Sequence, residues 1–531
     1  MLLVAIIVSI FLSIFSTAVL SYISMATPIG PWIDPTVALI ALPLFRWISS
    51  EFQFTKTVSL VTTAGSVGGI LATGMGFSLP TLYFLDQSMF NSWMASPLYF
   101  CSILAGLSLA AGGFGLWMAN ILEHKFVVQE KLAFPVGELV YKMVAVQNPR
   151  KTWELFCGFI STTLFCLFQD GLRFFKGFIP KAITLLPKLS WGKFIVPLIS
   201  IDLLPMYYAI GFVTGHVIAL PLLAGAISKI CIMNPLNAYF FSSINSTEFS
   251  LAFGSGMVVS GTIMSFLGAP KMLYKAITKM WHGRQNLTLS QSGVSRLHLI
   301  ELGALVVFNI AFLTYFKFSI ITQIYLLLFT AMCTYEITMQ AGKFGIARLG
   351  AFATFVMVPA IFLFKLSFVQ IVLIATFVEI CGGVACDILF GRKLAHSAQI
   401  PSNLVERYQW LGLLIASISV GIIFWLLITK FGLGSPELFA LKAQNRQILI
   451  DAQSFNIIVL LIGFLFGFVL KWLKLNPSLV LGGILMPINI SFALIAGGLM
   501  TLFTKSREEW YPFWSGVFAA NSVYMLVRAL I

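Results

Sequence analysis

Apolar runs of about twenty residues recur from one end of the chain to the other, parted by short polar breaks rich in proline and glycine. As helices rising 1.5 Å per residue, runs of this length cross a bilayer core of roughly 30 Å. Candidate spans fall at 1–23, 33–50, 56–80, 96–122, 152–171, 194–232, 249–269, 298–316, 319–338, 345–365, 367–390, 408–430, 454–473, 477–503 and 511–531. The run at 194–232 is long enough for two short or broken segments, so about 15 or 16 crossings are expected. This pattern predicts an all-α fold: a polytopic membrane helical bundle with broken or re-entrant helices. The polar stretches near Asn148–Glu154, Lys271–Arg296 and Gly432–Ser454 are too short to close a core, so 1–531 reads as a single integral membrane unit. A break near Arg296 divides it into possible halves, 1–296 and 297–531, as expected of internal repeats.

One segment departs from the pattern. Phe126–Val144, FVVQEKLAFPVGELVYKMV, is charged and broken by proline, yet lies between apolar runs. Pro135 suits a first helical turn, Glu138 lies by its positive end, and Val136, Leu139, Val140, Met143 and Val144 form one apolar stripe. Either this is an amphipathic helix lying on the membrane surface, or it is tucked into the protein with its start lining a permeation path. Broken polar backbone at membrane depth must be buried in protein or line a hydrated cavity.

Composition narrows the class. With 59% hydrophobic and 10% charged residues, the chain is no ordinary soluble globule. The formal net charge of +14 rests on Lys and Arg placed singly or in pairs at span ends, which points to anionic lipid headgroups rather than nucleic acid. Met1–Ile23 has no basic residue ahead of its apolar part and reads as a first span, not a cleaved signal. Loops holding Arg46 and Lys56, Glu123–Lys151, Lys271–Arg296 and Arg392–Arg407 are basic and therefore cytoplasmic, whereas those around Asp86 and Pro235–Thr247 lack Lys and Arg. The protein is then expected in a cell (inner) membrane with both termini cytoplasmic. Arg173, Lys176, Lys181, Lys188 and Lys193 break the alternation. Either Trp153–Gly171 is a re-entrant hairpin, or that loop violates the bias.

Enzyme signatures are missing from the sequence: no HExxH, no GxxxxGK[ST] and no GxSxG. Neither a metal site nor a cofactor is expected, and any energy source should be an ion gradient. Ionisable residues inside apolar runs are costly and default to a functional reading. Asp202, His216, Glu336, Glu379 and Asp387 qualify; Asp34 and Glu301 read as interfacial caps. Glu336 shares a polar face with Thr338 and Gln340, and Glu379 and Asp387 flank Gly382 and Gly383. A desolvated carboxyl there could load and release a proton, or each could simply bond a neighbouring helix. Glycine-rich spans running into proline occur in both halves, Gly65 to Gly68, Gly69 and Pro80, then Gly482, Gly483 and Pro487. Such paired interruptions mark substrate sites in repeat-built transporters, though small residues also serve tight helix packing.

Several of these stretches, in order, resemble the motifs of the oligopeptide transporter family, including its yellow-stripe-like metal-chelate branch. They are KTVSLVTTAGSVGGILATGMGFSLPTLYFL from Lys56, HKFVVQEKLAFPVGE, MYYAIGFVTGHVIALPLLAGAISKICIMNPL, FGSGMVVSGTI, VEICGGVACDILFGRKL and NPSLVLGGILMPINISFALIAGGLM. The resemblance highlights Phe134, Pro135, Gly137, Gly211, Gly215, Gly254, Gly256 and Asp387. It implies a secondary transporter, proton-coupled, moving small peptides, peptide-like solutes or metal chelates, with membrane lipids as its surroundings. The chain departs from the family pattern where Ile388 and Leu389 follow Asp387 and where Ala519-Ala520-Asn521 stands near the end. A different class, a membrane-embedded lipid-handling enzyme or flippase, would need a nucleophile or metal constellation that the sequence does not display.

Overall fold

The computed structural model describes residues 2–27, 30, 32–46, 51–146, 149–172, 175–187, 189–191, 194–196, 198–246, 248–250, 252–254, 256–257, 259–260, 296–344, 347–451, 456–475, 477–485, 488–504 and 507–530. The principal helices, labelled in chain order, are α1 (Leu2–Ala26), α2 (Asp34–Arg46), α3 (Glu51–Ser78), α4 (Pro97–Glu123), α5 (Pro135–Val146), α6 (Pro149–Asp170), α7 (Pro205–Thr214) and α8 (His216–Ser228). They continue with α9 (Ile320–Phe344), α10 (Phe368–Ser397), α11 (Ser402–Phe431), α12 (Leu441–Ile450), α13 (Pro477–Leu485), α14 (Ile488–Phe503) and α15 (Arg507–Leu530). Among the described residues, seven helical stretches are long and apolar enough to cross a bilayer, Phe54–Leu85, Phe368–Ser397 and Ser402–Phe431 among them. Four shorter apolar helices accompany them. The expected all-α membrane bundle is what the chain forms.

The centre is a sheaf around α3 and α10. Ser66 meets Asp387, Ile70 meets Gly383 and Thr63 meets Gly391, so the two helices run antiparallel. On the other side of α3, α1 runs parallel to it along a seam of small residues. Ser13 and Thr17 press on Gly68, Ser24 presses on Gly76, and the Ser16 hydroxyl donates to Gly65 O. Without a hydrophobic driving force between helices in lipid, close backbone approach and hydroxyl bonds of this sort supply the cohesion. Large apolar side chains such as Leu3, Phe11, Ile418 and Leu465 face outward, as lipid demands. The long α10 starts at a full capping box: Gln370 N–H donates to Ser367 Oγ at 3.4 Å, and Ser367 N–H to Gln370 Oε1 at 3.0 Å.

Two expectations need correction. The run 194–232 is not helical throughout, because its first part is strand. The residues after α6 form short antiparallel pairs: β1 (Gly171–Leu172) with β2 (Phe175–Lys176), β3 (Ala182–Leu186) with β6 (Ile199–Asp202), and β4 (Leu189–Trp191) with β5 (Phe194–Val196). The alternating Ile, Thr and Val of this stretch suit pairing, and the nested pairs make one hairpin arm that ends where α7 begins. Helix α6 itself runs unbroken over 22 residues, which removes the re-entrant alternative for Trp153–Gly171. Of the basic residues after it, Arg173, Lys188 and Lys193 lie outside the described residues. Arg392 was expected in a basic loop; instead it is buried within α10 and bonded to Glu123, Asn120, Gln409 and Ser402 O.

Candidate functional site

The charged insert docks inside the protein. His124–Gln129 winds as a π-helix, and Lys131 and Phe134 take left-handed backbone angles, φ 48° and 44°. Those angles are strained for bulky residues and persist only where packing holds them. Here Phe134 N–H donates to Gly342 O on α9 at 2.8 Å, and the Phe134 ring meets Phe390 of α10 edge to face at 5.8 Å. Gly137 lies against Phe390 O, so closely that an added methyl would meet the carbonyl. Val140 and Val144 are fully buried and Val136 is half-buried; the side chains of Leu139 and Met143 lie outside the described residues. The helix is therefore tucked into the protein and does not lie on the membrane surface, and Pro135 opens α5 as expected.

Directly beyond Phe390, the same turn of α10 sets Asp387 beside a carboxyl of α2. Asp387 accepts from the Ser66 hydroxyl at 2.9 Å, and the Asp34 side chain lies close to both. Asp34 is indeed the first residue of α2, but it is a buried one, not an interfacial cap. It gets there because α2 packs on the glycine face of α3, with Ile33 against Gly69 and Val37 against Gly65. Trp32, edge to face with Phe390 at 4.7 Å, closes the group from below. Asp34 Oδ2 is buried with no hydrogen-bond partner. Two acidic side chains thus stand side by side in the interior of the bundle.

Eight positions earlier on α10, roughly 12 Å along the helix axis, sits a second polar group. Glu379 is completely buried and accepts from Arg446 Nη2 of α12 at 2.8 Å. Ser78 of α3 bonds to both partners, and Arg446 Nη1 also reaches Phe77 O at 3.4 Å. Neither Arg446 nor the serines on α3 stood out in the sequence. The faint signal for Arg446 was there, however: LKAQNRQILI sets Leu441 and Ile448 on one face of a helix whose middle, Gln444 to Gln447, is all polar. Glu336 is buried on α9, which packs on α10 between the two carboxylates, Ile337 filling the notch at Gly382 and Thr334 Oγ1 lying 3.3 Å from Cys381 Sγ. Thr338 turns back onto Thr334 O and Tyr335 O of its own helix, and Gln340 is half-buried.

The remaining sequence candidates lie elsewhere. Asp202 ends β6 and acts locally. Its Oδ1 accepts from Leu204 N–H at 2.9 Å, its Oδ2 from Asn489 at 3.1 Å, and its carbonyl from Tyr208 Oη at 2.8 Å. His216 is exposed at the start of α8. Gly215 before it, at φ 72°, makes the break between α7 and α8 that a residue with a side chain would resist. Gly68, Gly69, Gly211, Gly254, Gly256, Gly382 and Gly383 all sit at helix crossings, where a methyl would press on a neighbour. Pro487 lies outside the described residues.

Comparison with curated proteins returns no match. A family model does match: that described as OPT oligopeptide transporter protein, over residues 3–521. Helices able to span a bilayer, a core of buried carboxyls and a family match along nearly the whole length converge on one assignment. The chain is an integral membrane protein and belongs to the OPT oligopeptide transporter family.

Proposed function

We propose that this transporter is proton-coupled and moves small peptides or peptide-like or metal-chelate solutes, with Asp387 as the proton-carrying group and Glu336 as its companion on α9. The observation that carries the reading is the buried Asp34–Ser66–Asp387 group. A membrane interior tolerates two carboxyls in contact only with a proton between them, and a change in helix packing that separates them would release it. The glycine crossings along α3 and α10 are where such a rearrangement would act, because backbones in contact can slide without repacking large side chains. Glu379, neutralised by Arg446, serves in this reading to hold α12 and not to carry the proton. We place the end bearing Glu123 and Arg392 in the cytoplasm, with both termini on that side, because Arg46, Lys56, Lys125 and Lys393 gather near it.

Proteoliposome uptake tests the coupling. Short peptides and iron or nickel chelates are offered with and without an imposed proton gradient. Wild-type protein should accumulate solute only with the gradient, and Asp387→Asn and Glu336→Gln should abolish accumulation while expressing normally. Uptake that ignores the gradient removes the coupling; unchanged accumulation in both variants removes the site.

A further inference from the structure

Helix α12 is a polar ten-residue helix set among apolar neighbours. It follows a turn in which Ala440, at φ 52°, donates its N–H to Met25 O of α1 at 2.6 Å, folding the chain back onto the sheaf. From there α12 lies between the two glycine-rich helices. Its Leu441 side chain reaches Gly482 of α13, while Lys442 and Arg446 reach Phe77 and Ser78 at the end of α3.

Among the described residues the charges on this helix are not balanced. Arg446 is matched by Glu379. Lys442 is half-buried, with its ammonium 3.5 Å above the centre of the Phe77 ring. A ring face attracts a cation but leaves most of the three ammonium donors unused. Among the described residues no acceptor lies within hydrogen-bonding distance of Lys442 Nζ; the acid that acts on it, Glu379, is already paired. Asn445 stands three positions further on, hence on the same face, and its Oδ1 is buried without a donor. A buried acceptor left unmet is costly, and a cation short of a counter-charge is costlier. The two needs are complementary to one ligand, which would present a carboxylate to Lys442 and an N–H to Asn445.

We infer that Lys442 and Asn445 of α12 form the subsite that recognises a free carboxylate and its neighbouring N–H on the transported solute. The inference rests on the transport reading above and deepens it, since it selects carboxylate-bearing solutes over neutral ones. Lodged between α3 and α13, the subsite would pull both glycine-rich helices onto a bound solute.

Binding of trialanine and of its C-terminal amide to full-length protein in nanodiscs provides the test, with Lys442→Met, Lys442→Arg and Asn445→Leu alongside wild type. Wild-type protein should prefer the free carboxylate by about tenfold or more, equivalent to about 1.4 kcal/mol. Lys442→Arg should keep that preference and Lys442→Met should lose it, with an elution volume and tryptophan emission like those of wild type showing that the variant is folded. Asn445→Leu should weaken both peptides. Equal binding of the two peptides, no binding of either, or a preference surviving in Lys442→Met overturns the inference. Gradient-driven uptake by wild type without any carboxylate preference would overturn the subsite alone. Carboxylate-dependent binding without uptake would overturn the transport reading and leave the subsite standing.

Discussion

Removing the Arg446 guanidinium should be among the most damaging single changes in this protein, and removing its partner as well should undo much of the damage. Glu379 has no exposed surface, and Arg446 keeps about 6% of its side chain exposed. With Arg446→Met, a carboxylate stays in the interior with no paired cation, held by the Ser78 hydroxyl and the more distant Lys442 ammonium. Breaking a buried pair from one side costs about 3–5 kcal/mol, whereas replacing both partners by groups of similar volume is often close to neutral. The double variant Glu379→Gln/Arg446→Met should therefore lie within about 1 kcal/mol of wild type, with a coupling of roughly 3 kcal/mol between the sites. The assay is unfolding in mixed micelles with increasing dodecyl sulfate, followed by tryptophan fluorescence, for wild type, both singles and the double. Lys430→Met, at an exposed position, is the control for losing a cation. A double variant no more stable than its worse single parent, or Arg446→Met as stable as Lys430→Met, would refute the reasoning.

Other consequences can be checked separately. Asp34→Asn should impair gradient-driven accumulation as Asp387→Asn does while leaving solute exchange across the membrane intact, because only the shared proton is lost; counterflow measurements distinguish the two. Gly483→Ala should destabilise by about 1–3 kcal/mol, since the new methyl would collide with Leu222 O, whereas Gly303→Ala, with open space around it, should be neutral or better; unfolding midpoints compare them. At Asp86, the bond from Met89 N–H and then that from the Ser88 hydroxyl hold the carboxyl below its usual 3.8. Its contribution to the helix Gln87–Met94 is thus complete above that value and fades as pH falls through the lower folded one. Amide protection in Gln87–Met94 should drop on acidification in wild type and stay flat in Asp86→Asn, as read by hydrogen exchange.

Much of the architecture was legible because the bilayer leaves a chain few options. Backbone groups in hydrocarbon must bond within their own segment, so runs of apolar residues such as 367–390 and 408–430 could only be helices. The strand arm at 182–202 was missed because its short apolar stretches look the same as broken helix ends until they find partners. Asp387 and Glu379 were visible as acids inside an apolar run. Their partners were not, since Ser66, Ser78, Asp34 and Arg446 lie tens to hundreds of positions away and look unremarkable where they stand.

Hydropathy and motif order alone determined that this is a helical membrane protein of the oligopeptide transporter kind, because burial in lipid is a property each segment expresses for itself. Which acid is paired with a cation and which lies beside another acid was decided by tertiary structure. That distinction depends on α2, α3 and α12 converging on α10, and a charge in a low-dielectric interior is defined by whatever lies within a few ångströms of it.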